Sequence, residues 1–326
     1  MKSKIGTLLL ALLGSAFLPS TFAVAQTYPD RPIKMVVPYT PGGQFDIHAR
    51  LLADKMKDLL GQPIIIENRP GAATMIGADA VAKSPNDGYT LLFAGTNMFA
   101  ILPHVYSKIA YKVSDFQTIS VVSDLPMGLM ISTKQIPVND LKEFVAYVKA
   151  RPGTINFGSS GTGGLQHLIG ELANARMGLQ MSQVSYRGTP EVITALLSDQ
   201  VPVSFDGTTA YLPHTGPGKP LKVLAVSSEK RIEAAPDVPT FAELGYPEMT
   251  VATHGGIVAP AGTPKAIIDK IHNAVMTANN DPVVRDLIIK GAAVPRTSTP
   301  AEFDAMIKSD SDIWGEIVRW LNIKLD

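Results

Sequence analysis

Ile33-Lys34-Met35-Val36-Val37-Pro38-Tyr39-Thr40-Pro41-Gly42-Gly43 is the stretch that decides the fold. An apolar run breaks at prolines and glycines. It then opens into a segment whose apolar residues Ile47, Leu51, Leu52, Met56, Leu59 and Leu60 share one helical face. A strand that breaks at glycines and enters a helix presents free backbone N–H groups at the positive end of the helix dipole, an arrangement that suits an anion. The same pattern recurs far downstream. Ile155-Asn156-Phe157 leads to Ser159-Ser160-Gly161-Thr162-Gly163-Gly164 and then to a helical segment over Leu165–Met177. Two such turns imply two lobes closing on one negatively charged ligand.

Strand-like and helix-like runs alternate around these turns. Ile64-Ile65-Ile66, a helical segment over Ala72–Ala82, and Thr90–Phe93 follow the first turn. Turns at Gly61-Gln62-Pro63 and Pro85-Asn86-Asp87-Gly88 separate them. A second series begins after Ile119–Val122. Its strands are expected at Leu129–Ile131, Ile155–Phe157, Val184–Tyr186, Val203–Phe205 and Val223–Val226, and its helices at Leu141–Ala150, Leu165–Met177 and Glu191–Leu197. The strands are continuously apolar, which implies sheets covered on both faces. Their alternation with helices implies parallel sheets. Asp124-Leu125-Pro126 is the expected crossover between lobes, and Gly245-Tyr246-Pro247 followed by Val251–Val258 the return. The expected division is 26–124 plus 251–326 for one domain and 125–250 for the other. The tail is helical, with Ile267, Ile268, Ile271 and Val275 on one face and a second apolar stripe from Phe303 to Leu321.

The 326 residues suffice for two α/β domains. Lys2 and Lys4 precede the apolar stretch Leu8–Leu18, and Ala23-Val24-Ala25 has the small-x-small form of a cleavage site. A signal peptide over 1–25 is therefore expected, with the mature chain starting near Gln26 in the periplasm. With 29 basic and 29 acidic residues, removal of Lys2 and Lys4 leaves 27 against 29, a charge of −2. No basic field attracts nucleic acid. The absence of cysteine excludes disulfides, thiolate metal sites and cysteine catalysis.

Several loop chemistries fail on spacing. Gly163-Gly164-Leu165 lacks the lysine of a phosphate-binding loop. Gly161-Thr162-Gly163 is followed by Gln166 where a dinucleotide fingerprint needs glycine. Gly158-Ser159-Ser160-Gly161 has Thr162 where a hydrolase elbow needs glycine. The six histidines form no metal-ligand pair, and neither a metal nor a cofactor is expected. His167 either fixes the second turn by a local hydrogen bond or touches ligand. Asp46 either caps the first turn or reads a ligand ammonium or hydroxyl group. Tyr39, Thr40 and Gln44 offer polar groups at the first turn. Thr96 and Asn97 do so after one strand, and Asp206, Gly207 and Thr208 after another. All follow strand C-termini, where ligands collect in open α/β sheets. Beside them, Tyr186-Arg187-Gly188 holds the one cation candidate near these turns.

At this point the chain resembles the substrate-binding components of tripartite tricarboxylate transporters, the Bug-type periplasmic receptors. The matching stretches run through the mature length. They include Tyr28-Pro29-Asp30-Arg31-Pro32-Ile33, Val37–Gly43 with Asp46, Glu67-Asn68-Arg69-Pro70-Gly71-Ala72 and Asp87-Gly88-Tyr89-Thr90-Leu91. Ser159-Ser160-Gly161 with His167-Leu168, Val184–Gly188, Pro236–Thr240 and Ala259–Pro264 complete them. The resemblance implies a two-lobed, type II periplasmic-binding-protein fold, each lobe a mostly parallel sheet flanked by helices. It implies a small carboxylate held between Pro41-Gly42-Gly43 and Ser159–Gly164, a monomeric receptor, delivery to membrane permease subunits, and no catalysis. Two departures from the family pattern, Thr253-His254-Gly255 and Asp206-Gly207, lie where the variable end of the ligand is expected, which makes His254 a candidate there. The other readings are a sensory binding protein serving a membrane kinase and a secreted hydrolase using Ser160 or His167.

Overall fold

The computed structural model describes residues 28–251 and 253–325. The signal peptide expected over 1–25 and its cleavage near Gln26 lie outside them. The chain opens with β1 (Ile33–Val37), α1 (Gln44–Leu60), β2 (Ile64–Asn68), α2 (Met75–Ala82) and β3 (Thr90–Gly95). One-turn helices α3 (Asn97–Ala100) and α4 (Leu102–Val105) and strand β4 (Phe116–Asp124) follow. The second series is β5 (Met127–Ser132), α5 (Leu141–Lys149), β6 (Asn156–Ser159), α6 (Leu165–Met177), β7 (Ser182–Ser185), α7 (Thr189–Leu197), β8 (Val203–Gly207) and β9 (Leu221–Val226). The chain ends with β10 (His254–Pro260), α8 (Lys265–Asn280), α9 (Pro282–Lys290), β11 (Val294–Pro295) and α10 (Pro300–Leu321).

These strands form two sheets, one ordered β11-β4-β10-β3-β1-β2 and the other β7-β6-β8-β5-β9. The chain passes from the first to the second between Asp124 and Met127, and β10 rejoins the first. Each lobe is α/β, as expected, and each sheet is mixed. β1 pairs in parallel with β2 and β3, and β6 with β7 and β8. β10 runs antiparallel between β3 and β4, and β5 antiparallel between β8 and β9. The antiparallel strands are the ones that carry the chain across the lobe boundary. They enter their sheet from the other lobe rather than through a helix crossover.

Burial on both faces explains the continuous apolar runs. In β1, Met35 and Val37 join a core with α1 and α8, while Val36 points the other way into a core with α2 and α10. In the second sheet, Leu129, Phe157 and Phe205 face α6, while Met130 and Val223 face α7. Gly170 of α6 lets that helix lie against Phe157, since a Cβ there would fall 2.3 Å from the ring. Two segments distant in sequence also join the core beneath the second sheet. Ala100, Ile101 and Val105 do so from α3 and α4, and Trp314 and Val318 from α10.

One expected helix starts late. Residues 72–74 form a short 3-10 turn, and only Met75–Ala82 is α-helical. Gly71, Ala72, Ala73 and Thr74 all have positive φ, at 125°, 46°, 50° and 85°. Alanine favours helix in isolation, and here tertiary context overrides that preference. Gly71 adopts such a backbone freely, but Ala72, Ala73 and Thr74 in succession are costly to hold, and such segments concentrate at functional sites.

Candidate functional site

A cleft of ≈ 460 Å³ opens between the two sheets, and three helices aim their N-termini at it. α1 begins after Gly43, α6 after Gly164 and α7 after Gly188. None of the three N-caps has a side chain bonded to the first-turn amides. Each glycine cap lines the cleft. Three positive helix ends without side-chain caps therefore share one space, although in α7 Pro190 has no N–H and the Glu191 amide donates to the Gly188 carbonyl, which leaves the Thr189 amide as the donor there. The sequence pattern starts this helix at Glu191, whereas α7 begins at Thr189. Thr189-Pro190 after Gly188 is the signal that reveals it, because proline is favoured in the first turn of a helix.

The first turn is held from behind. Asp46 is buried, and its carboxylate accepts from the Gly42 amide (2.9 Å), Asn68 Nδ2 (2.8 Å) and Arg50 Nε (3.1 Å). Burial pushes its pKa up, but Arg50, Gly42 and Asn68 together hold it below the usual carboxylate range. Gly42 itself has φ +81°, a conformation that glycine adopts without steric cost. Gly43 has an ordinary φ of −76° and lines the cleft. Tyr39 stacks on Phe45 with ring centroids 4.0 Å apart and donates to Asn97 Oδ1 at 2.9 Å.

The second turn is built the same way. The Gly163 amide donates to His167 Nδ1 at 3.0 Å, so His167 braces the loop from its own helix. Burial lowers the His167 pKa, and Glu171 partly offsets that. Gln183 Nε2 donates to Ser159 Oγ at 2.6 Å, and Tyr106 Oη donates to the Thr162 carbonyl at 2.8 Å. Gly161, at φ +118°, has no heavy atom within 4 Å of where a Cβ would stand.

Asp206 forms a polar wall of the cleft and is fully enclosed. It accepts from the Gly207 amide (2.7 Å), Gln166 Nε2 (3.2 Å) and Tyr211 Oη (3.2 Å), and Thr189 bonds it as well. Burial raises its pKa against the pull of these donors. Arg187 reaches the cleft rim, but its side chain is 89% exposed and pairs loosely with Glu191 at 3.9 Å. The positive character of the cleft thus comes from backbone rather than from a fixed salt bridge.

The structure brings ten of the expected residues to the cleft: Tyr39, Thr40, Gly43, Gln44, Asn97, Ser160, Gly161, Thr162, Tyr186 and Asp206. It sets the others behind it. Pro41, Gly42, Asp46, Ser159, Gly163 and His167 shape the two turns. Thr96 bonds the His254 backbone, and Thr208 Oγ1 donates to the Pro126 and Ala292 carbonyls. Gly207 is covered by the Gln44 side chain. His254 does not reach the cleft. It starts β10, where Nδ1 lies 2.6 Å from Asp124 Oδ1 and Nε2 lies 3.8 Å from Asp310 Oδ2, and Arg296 bonds Asp124 from the other side. The antiparallel insertion of β10 next to β4 creates that pairing, which sequence spacing cannot show. Gln166, Thr189, Tyr106 and the run 71–74 also line it.

Residues 48–323 match the family described as tripartite tricarboxylate transporter family receptor. The chain is 36% identical over 324 residues to Protein BugT of Bordetella pertussis, covering 98% of this chain and 99% of that one. Among solved structures, that of the periplasmic binding protein BugD superposes with a TM-score of 0.86 at 32% identity, covering 91% of this chain and all of that one. The R. palustris protein Rpa4515, solved with adipate, gives 0.87 at 29%, again covering 91% and all of that chain.

Proposed function

The chain belongs to the tripartite tricarboxylate transporter receptor family, and we propose that it captures a small carboxylate between its two lobes and delivers it to membrane permease subunits. The observation that carries this reading is the convergence of three uncapped helix N-termini on one cleft. Backbone amides at helix ends can hold a carboxylate without a dedicated cation. The adipate of the related structure is a dicarboxylate, the class such a site fits. In this reading 1–25 is removed on export. The lobes are 26–124 with 251–326 and 125–250, hinged where β4 leads into β5 and where the chain returns to β10. The carboxylate sits between the first and second glycine turns, and Asn97, Gln166 and Asp206 meet the rest of the molecule.

A hydrolytic role for Ser160 finds less support, because His167 Nδ1 is taken by the Gly163 amide. Thermal shift and calorimetry on the mature protein test the proposal with di- and tricarboxylates, acidic amino acids and aromatic acids. A ligand at a hundred times its Kd stabilises by about 2.7 kcal/mol. That corresponds to a rise of roughly 4 °C for a chain of this size. No shift and no heat with any of these acids would refute it. Pull-down of the liganded form decides between a permease and a membrane kinase as partner.

A further inference from the structure

Two glycines of the second lobe lie directly under side chains of the first, and neither is required by backbone conformation. Gly188 is fully extended (φ 176°, ψ 173°), and Gly207 has φ −64° and ψ 130°. Any residue adopts these angles. Their common feature is room. A Cβ at Gly188 would fall 2.1 Å from Thr40 Oγ1 and 2.9 Å from Thr40 Cβ. A Cβ at Gly207 would fall 2.0 Å from the Gln44 carboxamide carbon. Thr40 and Gln44 flank the first glycine turn on either side.

We infer that Thr40 and Gln44 are positioning residues that seat the first turn on Gly188 and Gly207 and so set the closed arrangement of the lobes. This rests on reading the cleft as a closing carboxylate site. The two seats bring the α1 end against the start of α7 and the end of β8, the geometry that gathers the helix N-termini around one anion. They differ in stiffness. Thr40 is β-branched and cannot fold away, so it fixes distance. The Gln44 side chain is long, and its seat satisfies it poorly. Its Nε2 lies 3.9 Å from the Met127 sulfur, and its Oε1 is buried without a hydrogen-bond partner among the described residues. Closure therefore strips the Gln44 carbonyl of water and returns nothing for it. The seat is unfavourable by itself, and bound ligand supplies the free energy that holds it.

The chain has no cysteine, so an engineered pair reports closure cleanly. T40C/G188C would set the two Cβ atoms 2.9 Å apart, short of the separation of about 3.5–4.5 Å that a disulfide spans, so the bond captures the lobes just before they are fully seated. In ligand-free full-length mature protein under mild oxidation, this pair is expected to cross-link slowly, each bond trapping a transient closure. Adding Gly207→Asn should slow cross-linking by about fivefold or more, a bias against the closed population. Adding Gln44→Gly to that background should restore it. Absence of any cross-link, or an unchanged rate with Gly207→Asn, overturns the inference. In the binding assay, Gly188→Ala should weaken the best acid of the panel by about tenfold or more. Unchanged affinity there also overturns it. Wild-type protein that binds none of the acids refutes the functional reading alone, because cross-linking decides the latch without ligand.

Discussion

Replacing Asp46 by alanine tests whether the first glycine turn is held from behind or holds itself. The Asp46 carboxylate ties three segments together, namely the Gly42 amide of the turn, Asn68 at the end of β2, and Arg50 one helical turn on. A buried hydrogen bond contributes about 0.5–1.5 kcal/mol, and more when one partner is charged. The Gly42 and Asn68 bonds are inside, so about 1–1.5 kcal/mol each is reasonable. Arg50 is half-exposed, and its pair with Asp46 is discounted to about 0.5 kcal/mol. Asp46→Ala should therefore cost about 3 kcal/mol at neutral pH. At about 1.6 °C per kcal/mol for a chain of this size, the melting temperature falls by roughly 5 °C. The effect has a pH signature. Because the folded pKa is depressed, the contribution is present above the unfolded value of about 4 and disappears as pH falls through the folded pKa. Calorimetric melts of wild type and variant at neutral pH and in acid measure both. A variant melting within about 2 °C of wild type at pH 7 would refute the reasoning. So would a difference that persists unchanged as the pH is taken from neutral into strong acid.

Burial pushes the His48 pKa down to about 4 against an ordinary value of 6.5, while Nδ1 lies 3.1 Å from Ser123 Oγ. The unfolded chain takes up this proton first, so stability is full above about pH 6.5 and falls by roughly 3 kcal/mol on the way to pH 4. His48→Gln should flatten the stability profile in that window, and denaturant titrations at several pH values would show whether it does. Gly161→Val forces a side chain into φ +118° and into the cleft. It should destabilise by about 1–3 kcal/mol and abolish carboxylate binding, and wild-type affinity by calorimetry would place the ligand elsewhere. Gly170→Ala would drive a Cβ to 2.3 Å from the Phe157 ring and should cost about 1–3 kcal/mol through overpacking. Pairing it with Phe157→Leu should recover part of that loss in thermal melts, and no recovery would show that the contact is not the cause.

The strands β1 and β5 are legible because each is a short, mostly apolar run closed by turn residues, while β8 alternates as Val203-Ser204-Phe205-Asp206-Gly207 and is legible from Val203, Phe205 and the glycine that ends it. Helix α6 matches its expected span, since Gly164 and Gly178 mark its ends. The left-handed residues 72–74 were not legible. Local propensity there favours helix, and only the surrounding structure holds the chain otherwise. Antiparallel pairing of β5 and β10 was equally hidden, because a fully buried strand reads the same in either direction.

The same division applies to the site. Local sequence suffices to place a glycine turn at the head of α1 and another at the head of α6, since glycine and proline punctuation acts over a few residues. It also determines the absence of thiol chemistry and the charge balance. Tertiary structure alone decides that a third helix end joins those two, that Asp46 and His167 brace the turns from behind, and that His254 pairs with Asp124 instead of facing the cleft. It alone shows that Gly188 and Gly207 are bare so that Thr40 and Gln44 can seat on them. The physical reason differs between them. The Asp46 and His167 braces reach back only four residues, to Gly42 and Gly163, and local sequence leaves each side chain a choice between turn and ligand that packing alone decides. The others are contacts between segments far apart in the chain, fixed by the packing of two sheets, and such contacts leave no periodicity in the sequence that joins them.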